Sequence, residues 1–249
     1  IEDVNLLINR TKESKLKTII YVGESTSLMN MSLYGYFRNN SPFLNKLSKQ
    51  NNFIKFNNLL STHTHTSPTL FKAFSLSYTP EIEDDSFYRI KRATIVDILK
   101  DINVATSWLS NQNQTGSWNY ASNILSKNSK DIIWSVKSNF LLPNGIKHLK
   151  KPFDHEFFLK NIENFGKEKN SLTVLHSLAG HGHYLDYIPK NFHRKIDNFF
   201  SNIKHKAVFG SESSNIFFSI RDVEAYDSAI RYIDYSINEI IKKKVVNVN

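Results

Sequence analysis

The sequence predicts an α/β fold, a mostly parallel sheet sandwiched by helices, built as one domain over residues 1–249. Three observations carry this. Short apolar runs rich in β-branched residues stop at glycine or polar turns. Segments with helical spacing alternate with them. The chain is 40% hydrophobic with only 8 Gly and 6 Pro, enough to bury one sizeable core and unlike a disordered or repeat composition.

The elements follow in chain order. "LKTIIYVGES" (16–25) has an apolar core from Thr18 to Val22 and stops at Gly23, a buried strand running into a turn. In "NNSPFLNKLSKQ" Ser41 stands as an N-cap and Pro42 as the first helical residue. "FIKFNNLL" (53–60) reads as a strand. "TSPTLFKAFSLS" opens a helix that tolerates Pro68 in its first turn. "RATIVDILKDIN" (92–103) is helical, and "VATSWLSNQ" (104–112) is a strand entering a polar loop. "WNYASNILSKN" is a helix, "DIIWSV" a strand, and "DHEFFLKNIENFG" a helix with Gly166 near its end. "SLTVLHSLAGHGHY" (171–184) is a strand followed by a glycine-rich turn. "VEAYDSAIRYIDYSINEIIKK" (223–243) is the strongest helix, with apolar residues at Ala225, Ala229, Ile230, Ile233, Ile237 and Ile240. "VVNVN" at the end reads as a strand beginning.

Composition narrows the function classes. There is no cysteine, which excludes disulfides and thiolate metal sites. No apolar run approaches the ~18 residues of a membrane span, and no signal peptide is visible. A chain opening at Ile1 reads as a processed or excised piece of a longer protein. The formal charge of +9 favours anionic partners. The lysines are dispersed, however, and the aromatics follow core periodicity without interleaving with a basic stripe, so no nucleic acid is expected.

In parallel sheets ligands bind beyond the carboxyl ends of the strands. That singles out Glu24, the Ser61–Thr66 cluster and His176 to His183. A carboxylate directly after a buried strand needs a cation or hydrogen-bond donors; Glu24 is a metal ligand or a turn residue. Thr66 precedes a helix, among free N–H groups at the positive end of the dipole. That place suits an attacking hydroxyl and a transferred phosphoryl group, and equally a capping threonine. His63 and His65 alternate along the chain as a possible metal pair without a third ligand. His176, His181 and His183 surround two glycines and could hold zinc or donate to phosphate oxygens, or form an exposed loop.

Taken together, these blocks resemble the catalytic domain of the phosphoethanolamine transferases, in the alkaline phosphatase/sulfatase superfamily. "YVGESTSLMNMSLYGYFRNNSPFL" is similar to the family's V-G-E-[ST] strand end and its G-Y-x-R-x-x-x-P-x-L. "STHTHTSPTLFKAFS" is similar to S-C-G-T-x-T-A-x-S-x-P-x-x-F-S. "SWLSNQNQTG" matches the family's strand and polar loop, "VLHSLAGHGHYLDYIPKNF" its L-H-x-x-G-x-H-G-P-Y, and "VEAYDSAIRYIDYSINEII" its N-x-Y-D-N helix. The blocks are collinear from about residue 16 to 243.

The resemblance implies a fold, a cofactor and roles. The fold is alkaline phosphatase/sulfatase-like. Zinc is the cofactor, with Glu24 and Thr66 as metal ligands. Thr66 is the catalytic nucleophile. His181 contacts phosphate or substrate, His176 is a second catalytic histidine, and His183 and Thr64 border the substrate. Phosphatidylethanolamine is the donor, and lipopolysaccharide or a similar envelope glycan the acceptor. The implied place is the periplasmic face of the inner membrane, with membrane association in the full-length protein.

The departures are specific. The family's late S-D-H-G-E-S-L-G-E motif, with its Asp-His zinc ligands, is not in the chain. The C-terminal part of the fold is therefore expected to be missing and the chain alone inactive. Thr62-His63 replaces Cys-Gly, Ser67 and Pro68 follow the nucleophile, and His183 replaces proline. A non-catalytic envelope-binding module with a degenerate metal site is the alternative, as is another phosphodiesterase or hydrolase of the superfamily. A sulfatase is disfavoured, because no cysteine is present for conversion to formylglycine.

Overall fold

The structure, a computed structural model, describes residues 15–75, 93–115, 120–136, 151–193 and 220–245. The chain divides into two compact units. The first comprises Ile1–Val22 and Asn58–Ser177, the second Gly23–Asn57 and Leu178–Asn249.

The first unit holds the sheet. Its strands are β1 (Lys17–Val22), β2 (Ala105–Asn113), β3 (Asp131–Val136) and β4 (Ser171–His176). They pair in the order β1-β4-β2-β3, all parallel. This is the expected sheet, and every parallel step needs a crossover. Helices α2 (Thr66–Phe74) and α3 (Ile95–Asp101) lie in the chain between β1 and β2. Helix α4 (Tyr120–Ser126) lies between β2 and β3, and α5 (Asp154–Ile162) between β3 and β4.

Strand alternation divides the core. Leu172 and Val174 of β4 and Trp108 of β2 pack with Leu70, Phe71 and Phe74 of α2 and with Ala121 and Leu125 of α4. Ile20 and Val22 of β1 join this face. On the other face Tyr21 meets Phe158 of α5 edge-on, with ring centroids 5.9 Å apart. Central β4 is buried at every position, whereas β1 exposes Lys17, Thr18 and Ile19. Fully burying a side chain such as Leu109 or Phe158 contributes roughly 1.5–3 kcal/mol. Helix α3 starts where a capping box forms: Asp97 N–H donates to Thr94 Oγ1 and Thr94 N–H to Asp97 Oδ2.

The second unit is organised by α6 (Ile220–Val245), 26 residues long. Its buried side carries Ala229, Ile230, Ile233 and Ile240, as expected, but also Asp227 and Asp234. The two acids stand seven residues apart, on one face. Each meets a successive stretch of the 36–44 segment. Asp227 accepts from Tyr36, Arg38 and Asn40. Asp234 accepts from the backbone N–H groups of Phe43 and Leu44, the first turn of α1 (Pro42–Leu47).

Several expectations are corrected. Residues 53–60 form no strand, and Ile54, Phe56, Leu59 and Leu60 are exposed, Leu60 to 94%. The β-favouring composition there has no neighbouring strand to pair with. Ser41 occupies the N-cap position of α1 without capping it. Its hydroxyl instead accepts from Leu33 N–H, and Asp234 takes over the cap. Helix α5 ends at Ile162, four residues before Gly166, which has φ 66°. Val245 ends α6, and the rest of the expected terminal strand lies outside the described residues.

Candidate functional site

Glu24 follows β1 by two residues and is only 6% exposed. The strand ends because Gly23 and Glu24 leave the ladder: beyond Val22 O the next bond goes to Ser177 N–H, at 3.0 Å. A carboxylate this buried requires cationic or hydrogen-bonding compensation. It has the chemistry of a metal donor.

Thr66 is the first residue of α2, and the N-cap position is His65. Thr66 is therefore not the helix's cap. Its half-buried hydroxyl-bearing side chain stands in the first turn, where the positive end of the helix dipole favours negative charge. The preceding segment is a series of bends pinned by hydroxyls. Ser61 Oγ donates to His63 O at 2.6 Å, and Thr69 Oγ1 donates to His65 O at 2.8 Å. Thr64 Oγ1 lies 3.1 Å from His65 Nδ1, both residues being exposed. His63 and His65 share no strand, so the alternation that suggested a common face is not realised.

His176 closes β4 and is fully buried. Gln112 Nε2 donates to Ser177 O at 2.9 Å and sits 3.1 Å from His176 Nε2. The amide thus donates and Nε2 accepts, which places the ring proton on Nδ1. Nδ1 lies 3.2 Å from both Ser110 Oγ and Ser122 Oγ. Register explains the cluster, because Ser110 is the β2 partner of His176. On the opposite face of β2, Asn111 donates to Asp154 Oδ1 at 2.7 Å and to Pro152 O at 2.9 Å.

His181 and His183 lie on the exposed turn after β4. His183 has φ 62°, and His181 N–H donates to Leu178 O. Gly180, just before, has φ 94° and approaches the Glu24 carbonyl so closely that a Cβ would stand 2.3 Å from it. The second unit therefore brings the Glu24 backbone and the histidine turn together. Thr64, Thr66 and His176 belong to the first unit and Glu24, His181 and His183 to the second.

Among the described residues no three His, Asp or Glu side chains are grouped to hold a metal ion. A catalytic zinc takes three protein ligands. Glu24 is a donor of suitable chemistry, but the described residues do not complete the set. A groove of about 520 Å³ lined by Lys100, Lys127 and Lys130 lies at the amino-terminal ends of β2 and β3, the end of a parallel sheet that ordinarily carries no chemistry.

Sequence reasoning missed Ser110, Gln112 and Ser122. The available signal was the polar run Ser110-Asn111-Gln112 directly after Trp108-Leu109 in a strand that is buried at these positions. Likewise Tyr36, Arg38 and Asp227 fall in separate motifs, and only the fold joins them in one contact.

Among the described residues no helix is long and apolar enough to cross a membrane. The model of the Sulfatase family matches residues 17–244. Phosphoethanolamine transferase EptC of Escherichia coli K12 is 26% identical over 234 residues, 93% of this chain and 37% of that protein. Phosphoethanolamine transferase EptA of Helicobacter pylori is 27% identical over 229 residues, 90% of this chain and 37% of that protein. The chain thus spans little more than a third of these curated relatives. The zinc complex of the C-terminal periplasmic domain of EptC from E. coli superposes with a TM-score of 0.71 at 22% identity, covering 95% of this chain and 62% of that one. That likeness bears out the expected fold.

Proposed function

Because the chain belongs to the sulfatase family, we propose that it is part of a phosphoethanolamine transferase acting on an envelope glycolipid or glycan. The two units would serve one sulfatase-like catalytic domain, a reading supported by a family match that runs across both. The observation that carries the proposal is the placement of its two key residues. Glu24 is buried directly beyond β1, and Thr66 opens α2 without capping it.

The proposed cycle is ping-pong. Thr66 Oγ bonds to the phosphorus of phosphatidylethanolamine while the bond from phosphorus to the diacylglycerol oxygen breaks. Diacylglycerol leaves with the threonine's proton. A hydroxyl of lipopolysaccharide or a similar glycan then attacks the phosphorus, and Thr66 recovers a proton as its own bond breaks. The positive end of the α2 dipole offsets charge on the phosphoryl oxygens. Zinc, with Glu24 and Thr66 among its ligands, would lower the hydroxyl pKa of a residue that is otherwise a poor nucleophile. His181 is assigned to the phosphate, and Thr64 and His183 to the border of the substrate. His176 is assigned the work of holding β2 and β4 together rather than contact with substrate, since both its ring nitrogens are engaged.

The relatives' names support the transfer of a phosphoethanolamine group, and the net charge of +9 suits an anionic acceptor surface. The proposed location is the periplasmic face of the inner membrane. A second reading, a non-catalytic envelope-binding module, is favoured by the lack of a three-ligand group among the described residues.

Two measurements decide. Zinc content of the full-length protein by elemental mass spectrometry is expected to be near one, and lost in Glu24→Ala. Intact mass of the full-length protein after exposure to phosphatidylethanolamine micelles is expected to rise by one phosphoethanolamine group, in the parent and not in Thr66→Ala. Zinc retained by Glu24→Ala removes that ligand. Absence of both zinc and label moves the binding-module reading ahead.

A further inference from the structure

We propose that the lysine-lined groove at the amino-terminal ends of β2 and β3 is a binding site for a phosphate-bearing ligand. It needs neither Glu24 nor Thr66.

Three segments bring the cations together. Lys100 stands in the last turn of α3, Lys127 directly follows α4, and Lys130 directly precedes β3. Their backbones are held. Lys130 N–H donates to Thr106 O at 2.9 Å, which ties it to β2, and Lys127 N–H donates to Ile124 O at 3.2 Å. The turn after α3 is set by Asn103, with φ 58°, and by Val104 N–H, which donates to Leu99 O at 2.8 Å. The groove's volume, about 520 Å³, is of the size that takes a small ligand.

Charge in this wall is unbalanced. Glu168 is its carboxylate, and it pairs with Lys130. Asp97, on α3, is spent on its own neighbours: Oδ2 accepts from Thr94 N–H and Oδ1 from Asn128 Nδ2. Asp131, beside Lys130, accepts from Ser107 Oγ at 3.4 Å. Lys100 and Lys127 are exposed, and neither forms an ion pair among the described residues. Two ammonium groups thus line one groove without a carboxylate of their own. Ser129, in the same wall, has a buried hydroxyl oxygen with no hydrogen-bond partner among the described residues, where buried polar groups ordinarily have one. A phosphate suits this set, because its oxygens accept from several directions and lysine binds it as a point charge. Cations are also favoured near helix C-termini, which gives Lys100 and Lys127 another reason to be there. Helices α3 and α4 are only seven residues each, however, Lys130 belongs to neither, and helix ends alone predict no affinity for phosphate.

The test is lysine footprinting of the full-length protein in neutral detergent micelles, with acylation of each lysine read by peptide mass spectrometry. Inorganic phosphate is the first probe, against chloride at matched ionic strength. Acylation of Lys100 and Lys127 is expected to slow roughly three-fold when phosphate stands at about twice its dissociation constant, by mass action. Lys160, exposed on α5, is expected to keep its rate. Vesicles then distinguish the source of the phosphate. The same protection in phosphatidylglycerol vesicles, and not in phosphatidylcholine vesicles, assigns a lipid headgroup. Protection by inorganic phosphate without protection in either vesicle assigns a phosphate ester outside the bilayer. Glu168→Gln frees Lys130 from its ion pair and is expected to lower the phosphate concentration that gives half protection; an unchanged concentration would contradict the electrostatic basis of the site. Protection that is equal at Lys160, or absent at Lys100 and Lys127 in every arm, overturns the proposal and leaves these lysines to the helix ends.

Discussion

Arg38 Nη1 donates to Asp227 Oδ2 at 2.7 Å, across 189 residues of sequence. Asp227 is fully buried, and Glu224 Oε1 stands 3.5 Å from the other guanidinium nitrogen. Two sequence motifs that look like separate signatures, Gly-Tyr-Phe-Arg and Tyr-Asp, are the two sides of one ionic contact between α6 and the 36–40 segment.

Asp227→Ala is expected to destabilise the chain by about 3–5 kcal/mol, because it removes the closer of the two carboxylates that face a buried guanidinium. Urea unfolding measures it. Replacing both partners, Arg38→Met with Asp227→Leu, is expected to cost clearly less than the single change. Equal losses would mean that the pair contributes beyond the burial of its charges.

Gln112→Leu removes the donor to His176 Nε2 and is expected to cost about 1–3 kcal/mol, the penalty for a buried acceptor left without its partner. Nitrogen NMR of the parent chain is expected to find His176 with its proton on Nδ1. A proton on Nε2 would contradict the network deduced around Gln112.

The capping role of Asp234 predicts a graded series. Asp234→Ala is expected to lose about 1–2 kcal/mol, as for other lost N-caps, and to speed amide exchange at Phe43 and Leu44. Asp234→Asn keeps one acceptor oxygen and is expected to fall between. Unchanged exchange at both amides in Asp234→Ala would show that α1 is capped otherwise.

Burial pushes the Lys151 ammonium down to about 8, against the opposing attraction of Asp154. The folded chain therefore releases this proton more readily than the unfolded one, whose lysine titrates near its ordinary value of 10.5. The contribution of Lys151 to stability is least favourable below pH 8 and improves as pH rises from about 8 towards 10.5. Lys151→Met is expected to flatten that slope and to raise stability at pH 7. A parallel slope in the variant would assign the effect elsewhere.

Much of the fold is written in local pattern. The runs from Lys17 to Val22 and from Ser171 to His176 declare themselves as strands by β-branched content and by the turns that stop them. The long α6 and the shorter α3 declare themselves by helical spacing. Glu24 and Thr66 could be singled out because strand ends and helix starts are places where parallel sheets put chemistry.

What the sequence determined by itself was therefore the parallel α/β class, the order of its elements and the residues standing at their ends. Tertiary structure decided which polar residues are buried and with whom. It set Ser110 beside His176 through β-register, turned Asp234 into the cap that Ser41 was expected to be, and left residues 53–60 without a strand partner. The physical reason is one of range. Periodicity and capping act over a few residues. A buried carboxylate or imidazole is stabilised only by partners that the fold carries to it from distant parts of the chain.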